Sequence, residues 1–389
     1  MKIALIADFY GQHNNGTSVT AARLVRNLRA RGHDVTVVSP YDCREEGYVQ
    51  LEKMHVPLFG GYIEGKNGIV FAKVDRGAMR RVISECDVVH VLMPFSAGSA
   101  AARIAYESGV PLIVSFHVQP ENITSHMFLM NSGLVNRLIY RIFWHKCYRY
   151  TRFIHCPSNF IAGELQRNGY HANIRVVSNG VIPVFHKKAS EKPEAFRDKI
   201  CILFIGRYAD EKRHDILIDA AAISKYSPRI QLIFAGNGPR ENKILKRSRK
   251  LANPPLLTLL SEENLSLVIN YCDLYVHPSD VDIEAISCIE AFSCGLVPVI
   301  SDSRRSATKQ FALTPENIFT AGDPNSLAEK IDYWLDHPVE KDELSRRYIE
   351  FGKNYAIDRC VDEMEQIFCE AAAERAKENA PQEMLNESG

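Results

Sequence analysis

Acids, hydroxyls and small residues crowd one stretch of the chain, Ser279–Ser303, SDVDIEAISCIEAFSCGLVPVISDS. Asp280, Asp282 and Glu284 come first. An apolar run from Ala285 to Cys294 follows, then Gly295 and LVPVIS. The predicted order is loop, helix, glycine stop and short buried strand. The acids lie before or just inside the helix start, where free N–H groups and the helix dipole favour anions. Carboxylates placed there suit hydroxyl groups, which donate to them, while the helix end takes a phosphate. A sugar nucleotide presents both. Capping is the competing role for any one of these acids. Glu290 fits it poorly, because it sits within the apolar run between Ile289 and Ala291, where an acid is costly unless bonded.

Two cations face a related task. ICILFIGR, Ile200–Arg207, reads as a strand, and a helix is predicted from about Glu211. Arg207 and Lys212 then flank a strand-to-helix turn at the carboxyl edge of a parallel sheet, where ligands bind in open α/β folds. Two cations and a helix start match a dianionic diphosphate. A merely solvated basic surface is the plain alternative. QLIFAGNGP, Gln231–Pro239, is a further strand whose loop carries Gly236 and Gly238, a place for close backbone approach. Asp280 and Asp282 also fit a short Asp-x-Asp metal pattern, but no metal or other cofactor is expected.

These loops need a repeating scaffold. Lys2–Asp8, Asp34–Pro40, Asp87–Pro94 and Val110–His117 read as buried strands, alternating with helices such as Val19–Ala30 and Ala97–Tyr106. The loop before Val19 holds Gly16 but lacks the G-x-G-x-x-G dinucleotide fingerprint, which argues against a dehydrogenase. His117 ends its strand on the ligand edge, and mid-strand His90 reads as structural. Asn179-Gly180 marks a tight turn, and the charged stretch His186–Lys199 a linker. The second half repeats the pattern to Tyr355. A long helix spans Ala356–Ala376, and a polar, disordered tail is predicted from Lys377.

The opening stretch resembles the signature of family-4 glycosyltransferases: an acid, seven residues, Glu-Ala, a small pair, Gly and x-Pro-Val. Glu290 matches the second acid. Asp282, eight positions earlier, stands where the family usually has Glu, so either Asp282 or Glu284 could do the first acid's work. Gly206-Arg207 with Lys212, Gly236-x-Gly238-Pro239, and the Ser178-Asn179-Gly180 turn match further. The resemblance covers nearly the whole chain. One departure is Leu260-Ser261-Glu262, where relatives usually carry Gly near the base, so base contacts do not transfer.

The resemblance implies an α/β fold of two facing Rossmann-like domains, the GT-B arrangement, with a C-terminal helix crossing back to the first. Residues 1–184 would form the acceptor domain, 185–355 the nucleotide-sugar domain, 356–376 the crossover helix and 377–389 the tail. It further implies a retaining hexosyltransferase using a nucleotide-diphosphate sugar, UDP-linked. Arg207, Lys212 and the helix end at Ala285, Ile286 and Ser287 would stabilise the departing diphosphate. Glu290 would hold the ribose, and Asp282 with His117 the hexose. Gly16 would face the donor. The Asp-x-Asp metal pattern belongs to a different glycosyltransferase fold. A sugar-nucleotide epimerase of the same fold, using His117 or Asp282 as base, is the competing enzyme. A binding protein that holds nucleotide sugars without turnover is less compatible with the near-complete set of acids and bases.

Leu134–Phe153, LVNRLIYRIFWHKCYRYTRF, interleaves Arg137, Arg141, Lys146 and Arg149 with aromatic residues including Trp144. A basic, aromatic, amphipathic helix reads as a membrane-surface segment. Its alternative is a solvated basic face over packed aromatics. The membrane reading favours a lipid acceptor such as diacylglycerol; a polysaccharide or soluble acceptor is the alternative. Bulk numbers set the remaining bounds. The 389 residues are 46% hydrophobic and 24% charged, with a formal net charge of zero, which gives no field for nucleic acid. Ten cysteines form no C-x-x-C pair, which points to reduced thiols in the cytoplasm. MKIALIADF reads as a strand rather than a leader, and no apolar run spans a bilayer. A cytoplasmic enzyme, peripheral on the inner membrane face, is the expectation.

Overall fold

The computed structural model describes residues 1–10, 16–41, 45–54, 71–125 and 129–386, with side chains as far as residue 374. The chain divides into two compact units, Met1–Asn179 with Cys360–Gly389, and Gly180–Arg359. The break falls at the predicted Asn179-Gly180 turn, where Gly180 has φ 77°.

In the first unit β1 (Lys2–Ile6) leads to α1 (Gly16–Ala30), β2 (Asp34–Ser39) and β3 (Tyr48–Gln50). Then come β4 (Val88–Val91), α2 (Ser96–Glu107), β5 (Leu112–Ser115), α3 (Gly133–Lys146), β6 (Phe153–Cys156), α4 (Asn159–Arg167) and β7 (Asn173–Val176). These seven strands form one parallel sheet, in the order β3-β2-β1-β4-β5-β6-β7. Ile3–Ile6 and Ile113–Val114 are fully buried, as continuous apolar strands covered by helices must be.

The second unit repeats the design with β8 (Ile200–Ile205), α5 (His214–Ile223), β9 (Ile230–Ala235), β10 (Leu256–Thr258) and α6 (Glu262–Tyr271). It continues through β11 (Leu274–His277), α7 (Ile286–Ser293), β12 (Pro298–Ser301), β13 (Ile318–Phe319), α8 (Pro324–Asp336) and α9 (Pro338–Gly352). The parallel order is β10-β9-β8-β11-β12-β13. Strand order reverses between β8 and β11, so their following loops diverge and leave a crevice at the carboxyl edge. That switch point positions the site.

The last helix, α10 (Ile357–Asn386), starts in the second unit and packs on the first from Cys360 onward. Phe368 meets the ring of His90 at 5.4 Å, and Glu365 takes His33 at 2.6 Å. The backbone stays helical beyond Lys377, where a disordered tail was expected. Its Lys, Glu, Ala, Gln, Met and Leu residues are good helix formers, and polarity alone does not prevent a helix. The predicted linker, His186–Lys199, is also held. Ser190 bonds to Leu267 O, and Lys192 pairs with Asp273 at 2.6 Å.

Candidate active site

Strand β8 delivers Gly206 and Arg207 to the switch point. The next residues form a 3-10 turn, Asp210–Lys212, and α5 starts only at His214. The helix predicted from Glu211 therefore begins three residues later. Arg213 explains the delay: its backbone is left-handed, φ 52°, which interrupts the helix. Its guanidinium bonds both oxygens of Asp215, at 3.1 and 3.2 Å, and Asp280 at 3.0 Å.

Gly236 and Gly238 follow β9 with φ 154° each. A Cβ at Gly236 would stand 2.1 Å from Gly206 O, and one at Gly238 2.7 Å from Tyr208 N and O. The close approach that these glycines permit is thus to the neighbouring loop, which they seat beneath Arg207. A Cβ at Gly206 would meet the Phe204 ring at 2.9 Å. Gly16, the first residue of α1, has open space where a Cβ would go.

Strand β11 ends in His277, and the acidic loop follows. Asp280 N donates to Glu211 O at 2.8 Å, which ties the acidic loop to the basic one. Arg207 pairs with Glu211 at 3.1 Å. Lys212 Nζ lies 2.6 Å from Asp282 Oδ1, and His277 Nε2 lies 2.8 Å from Asp282 Oδ2. Of the two acids left open, Asp282 is the one that meets Lys212; Glu284 is buried nearby in sequence. Burial pushes the Asp282 carboxyl up, but Lys212 and His277 outweigh it and hold the group well below the usual range. Burial pushes His277 below its ordinary value, with Asp282 acting in the opposite direction. Asp280 is raised by burial, against the pull of Arg213.

The carboxylates of Asp280-Val281-Asp282 therefore go to different protein cations. Among the described residues, no cluster of three or more His, Cys, Asp or Glu has the arrangement a metal needs.

Ala285 caps α7 in the left-handed region, φ 65°. For a residue with a Cβ this costs about 1–2 kcal/mol, so the tight entry into α7 is enforced by its surroundings. Glu290 is buried on α7; burial raises the Cys294 thiol, and Glu290 adds to that rise. Gly295, φ 78°, ends the helix against Ser345 and Ile349.

Sequence reasoning missed His277 and Tyr275. The Tyr275 hydroxyl lies 2.9 Å from His277 Nδ1 and 3.0 Å from Ser287 Oγ in the first turn of α7. Its signal was available: His277 ends a buried strand on the ligand edge, the same argument that singled out His117. His117 belongs to the first unit, where it is buried with its ring 5.6 Å from that of His155.

Helix α3 also differs from expectation. The continuous helix predicted over Leu134–Phe153 stops at Lys146, and a 3-10 turn and β6 follow. Tyr140, Phe143 and Tyr148 are buried, and Trp144 packs on Tyr170 at 5.1 Å. The aromatics serve the core, and the exposed apolar stripe is aliphatic. Leu134, Leu138 and Ile142 are 81%, 54% and 41% exposed, four residues apart on one face. Arg137, Arg141, Lys146 and Arg149 are exposed around them. No described helix is long and apolar enough to cross a membrane.

Two doubly wound parallel sheets, with cations and carboxylates meeting at the switch point of the second, define the GT-B class of α/β fold. The comparisons agree. The model for Glycosyltransferase Family 4 matches residues 14–184, and that for Glycosyl transferases group 1 matches residues 186–355. The chain belongs to the family-4 glycosyltransferases and is a hexosyltransferase. It is 22% identical to the alpha-monoglucosyldiacylglycerol synthase of Acholeplasma laidlawii over 77% of this chain and 80% of that one. It is 27% identical to the GDP-mannose-dependent alpha-mannosyltransferase of Corynebacterium glutamicum over 77% and 72%. Among solved structures, HepE of Anabaena in complex with UDP and glucose shares the fold, with TM-score 0.76 and 14% identity over 95% of this chain and 100% of that one.

Proposed function

We propose that the chain transfers a hexose from a UDP-linked sugar to a membrane lipid such as diacylglycerol, with retention at the anomeric carbon. The pairing of Lys212 with Asp282, on the same strand-to-helix connection as Arg207, carries this reading, because it sets a cation for phosphate next to an acceptor for hydroxyls. As the C1–O bond breaks, negative charge grows on the leaving diphosphate. Arg207, Lys212 and the N–H groups opening α7 stabilise it in an already organised site. Asp282 orients hexose hydroxyls, and Glu290 holds the ribose. The acceptor oxygen bonds to C1 on the face that the diphosphate leaves. Its proton passes to a β-phosphate oxygen, so no side-chain base is needed, and no metal is required.

The lipid acceptor is supported by the name of the Acholeplasma relative and by the exposed Leu134, Leu138 and Ile142 stripe with its basic flanks. Aliphatic side chains can enter the acyl boundary while Arg and Lys meet anionic headgroups. On this reading the working enzyme sits on the cytoplasmic leaflet. The Corynebacterium relative favours a second donor reading, GDP-mannose. A screen of labelled nucleotide sugars against a total lipid extract tests both. Labelled lipid from UDP-hexose is expected; label only in a polysaccharide or soluble product would refute the lipid acceptor. Loss of activity in excess EDTA would reveal a required divalent ion.

A further inference from the structure

Asp282 begins a line of four side chains with a definite direction. Asp282 Oδ2 accepts from His277 Nε2 at 2.8 Å. Because an ionised carboxylate only accepts, Nε2 must carry a proton. His277 Nδ1 then faces the Tyr275 hydroxyl at 2.9 Å, and that hydroxyl faces Ser287 Oγ at 3.0 Å. Tyr275 and His277 are buried, whereas Ser287 is partly exposed at the start of α7. Tyr275 has a single proton and two neighbours, so it can donate to only one of them.

The line therefore has two states. With His277 neutral, Nδ1 accepts from Tyr275, and the bond that Tyr275 is placed to donate to Ser287 Oγ is lost. With His277 protonated, Nδ1 donates to Tyr275, Tyr275 donates to Ser287, and the Ser287 proton points outward. An anion at the helix start needs the second state. Turning Ser287 alone would set two oxygens lone pair to lone pair across 3.0 Å.

We propose that Tyr275 and His277 form a proton relay, so that an anion captured at Ser287 is accompanied by one proton taken up at His277 from solvent. The inference rests on reading this helix end as the diphosphate site. The charged and titratable groups around the relay are Asp282 and Lys212 near His277, and Asp282, Glu290 and Cys288 near Tyr275. Phe204 closes the remaining side of His277, ring to ring at 5.8 Å. Asp282 stabilises the imidazolium and Lys212 opposes it. Burial outweighs Asp282 and favours the neutral ring in the free protein, and the arriving negative charge supplies the missing bias. His277 is thus a positioning residue: it grips Asp282 and sets which way Ser287 points.

The test is calorimetric titration of the full chain with UDP and with GDP, in buffers of different ionisation enthalpy. Wild type should take up on the order of half a proton or more beyond Tyr275→Phe and Ser287→Ala. Proton changes of the nucleotide itself cancel in that difference. Ser287→Ala cuts only the last link and keeps the Tyr275–His277 contact, so it guards against a folding defect in the other variant. In parallel, the imidazole ¹⁵N signals of His277, assigned with His277→Gln, should change from a neutral to an imidazolium pattern when nucleotide is added. Tight binding with equal uptake in all three proteins, or a His277 that stays neutral, overturns the relay alone. Failure of both nucleotides to bind overturns the diphosphate reading and the relay with it.

Discussion

Lys212 Nζ lies 2.6 Å from Asp282 Oδ1, although the two residues are 70 positions apart in the chain. One reaches the crevice from the loop after β8 and the other from the loop after β11, and those strands are direct neighbours, with Ile202 paired to Leu274. The pair is mostly buried, so its removal has local consequences.

Lys212→Ala should lower kcat by about 100- to 1000-fold, the range for losing one preorganised charge in a transition state. Asp282 would keep only His277, and its carboxyl would move up toward the ordinary range. The thermal midpoint should change by only a few degrees. Steady-state kinetics and thermal unfolding read the two effects separately, and wild-type turnover would remove Lys212 from the reaction.

Acid should destabilise the protein through its buried histidines. Burial lowers His90 to about 3, His155 to about 4 and His214 to about 3, with His155 also acting on His90 and Lys212 on His214. The unfolded chain binds these protons below about pH 6.5 and the folded chain does not. Stability therefore falls as pH drops from about 6.5 toward 4, by about 1.4 kcal/mol per pH unit for each such group. Asp8 has the opposite sign. Burial raises it to about 7, against bonds from the backbone at Ala97 and Gly98, so it costs stability as pH rises from about 4 to 7. Asp8→Asn should therefore steepen the fall in thermal midpoint between pH 6.5 and 4.5; an unchanged slope would contradict this assignment.

Gly236→Ala should destabilise the second unit. It combines φ 154° with a Cβ only 2.1 Å from a backbone oxygen, and the neighbouring loop cannot yield without moving Arg207. A loss of about 2 kcal/mol or more is expected. Gly16→Ala, with open space and a helical position, should be neutral or slightly stabilising. Denaturant unfolding of both variants gives the contrast, and equal effects would show that the loop contact carries no constraint.

Sedimentation with vesicles containing anionic lipid should detect binding at low salt. Arg137→Gln with Arg141→Gln should weaken it by about 2 kcal/mol, or roughly 30-fold, at about 1 kcal/mol per charge. Leu138→Ser should weaken binding to neutral vesicles as well, since Leu138 is 54% exposed in the stripe. Wild type that stays in the supernatant at low salt would remove the membrane from the proposal.

Much of this was legible in the residue order. Unbroken apolar runs gave the strands, because a strand covered on both faces has no polar side. Strand-to-helix turns located Arg207 and Lys212, because the carboxyl edge of a parallel sheet is where such loops must lie, and an acid inside an apolar run marked Glu290. The polarity of α3 misled in one respect. Its aromatics alternate with arginines in sequence, but the helical period turns Tyr140 and Phe143 inward and leaves Leu134, Leu138 and Ile142 outside.

Residue order by itself determined the alternating strands and helices, the chemical types at the loop ends and the tight turn where the two units divide. Those depend on local periodicity and backbone preference, which neighbours in the chain carry. Only the tertiary structure decided that Lys212 and His277 share Asp282, that Arg213 takes Asp280, and that Tyr275 joins His277 to Ser287. Those pairings depend on which strands lie side by side and in what register, and a charge acts across the distance that folding leaves rather than the distance along the chain.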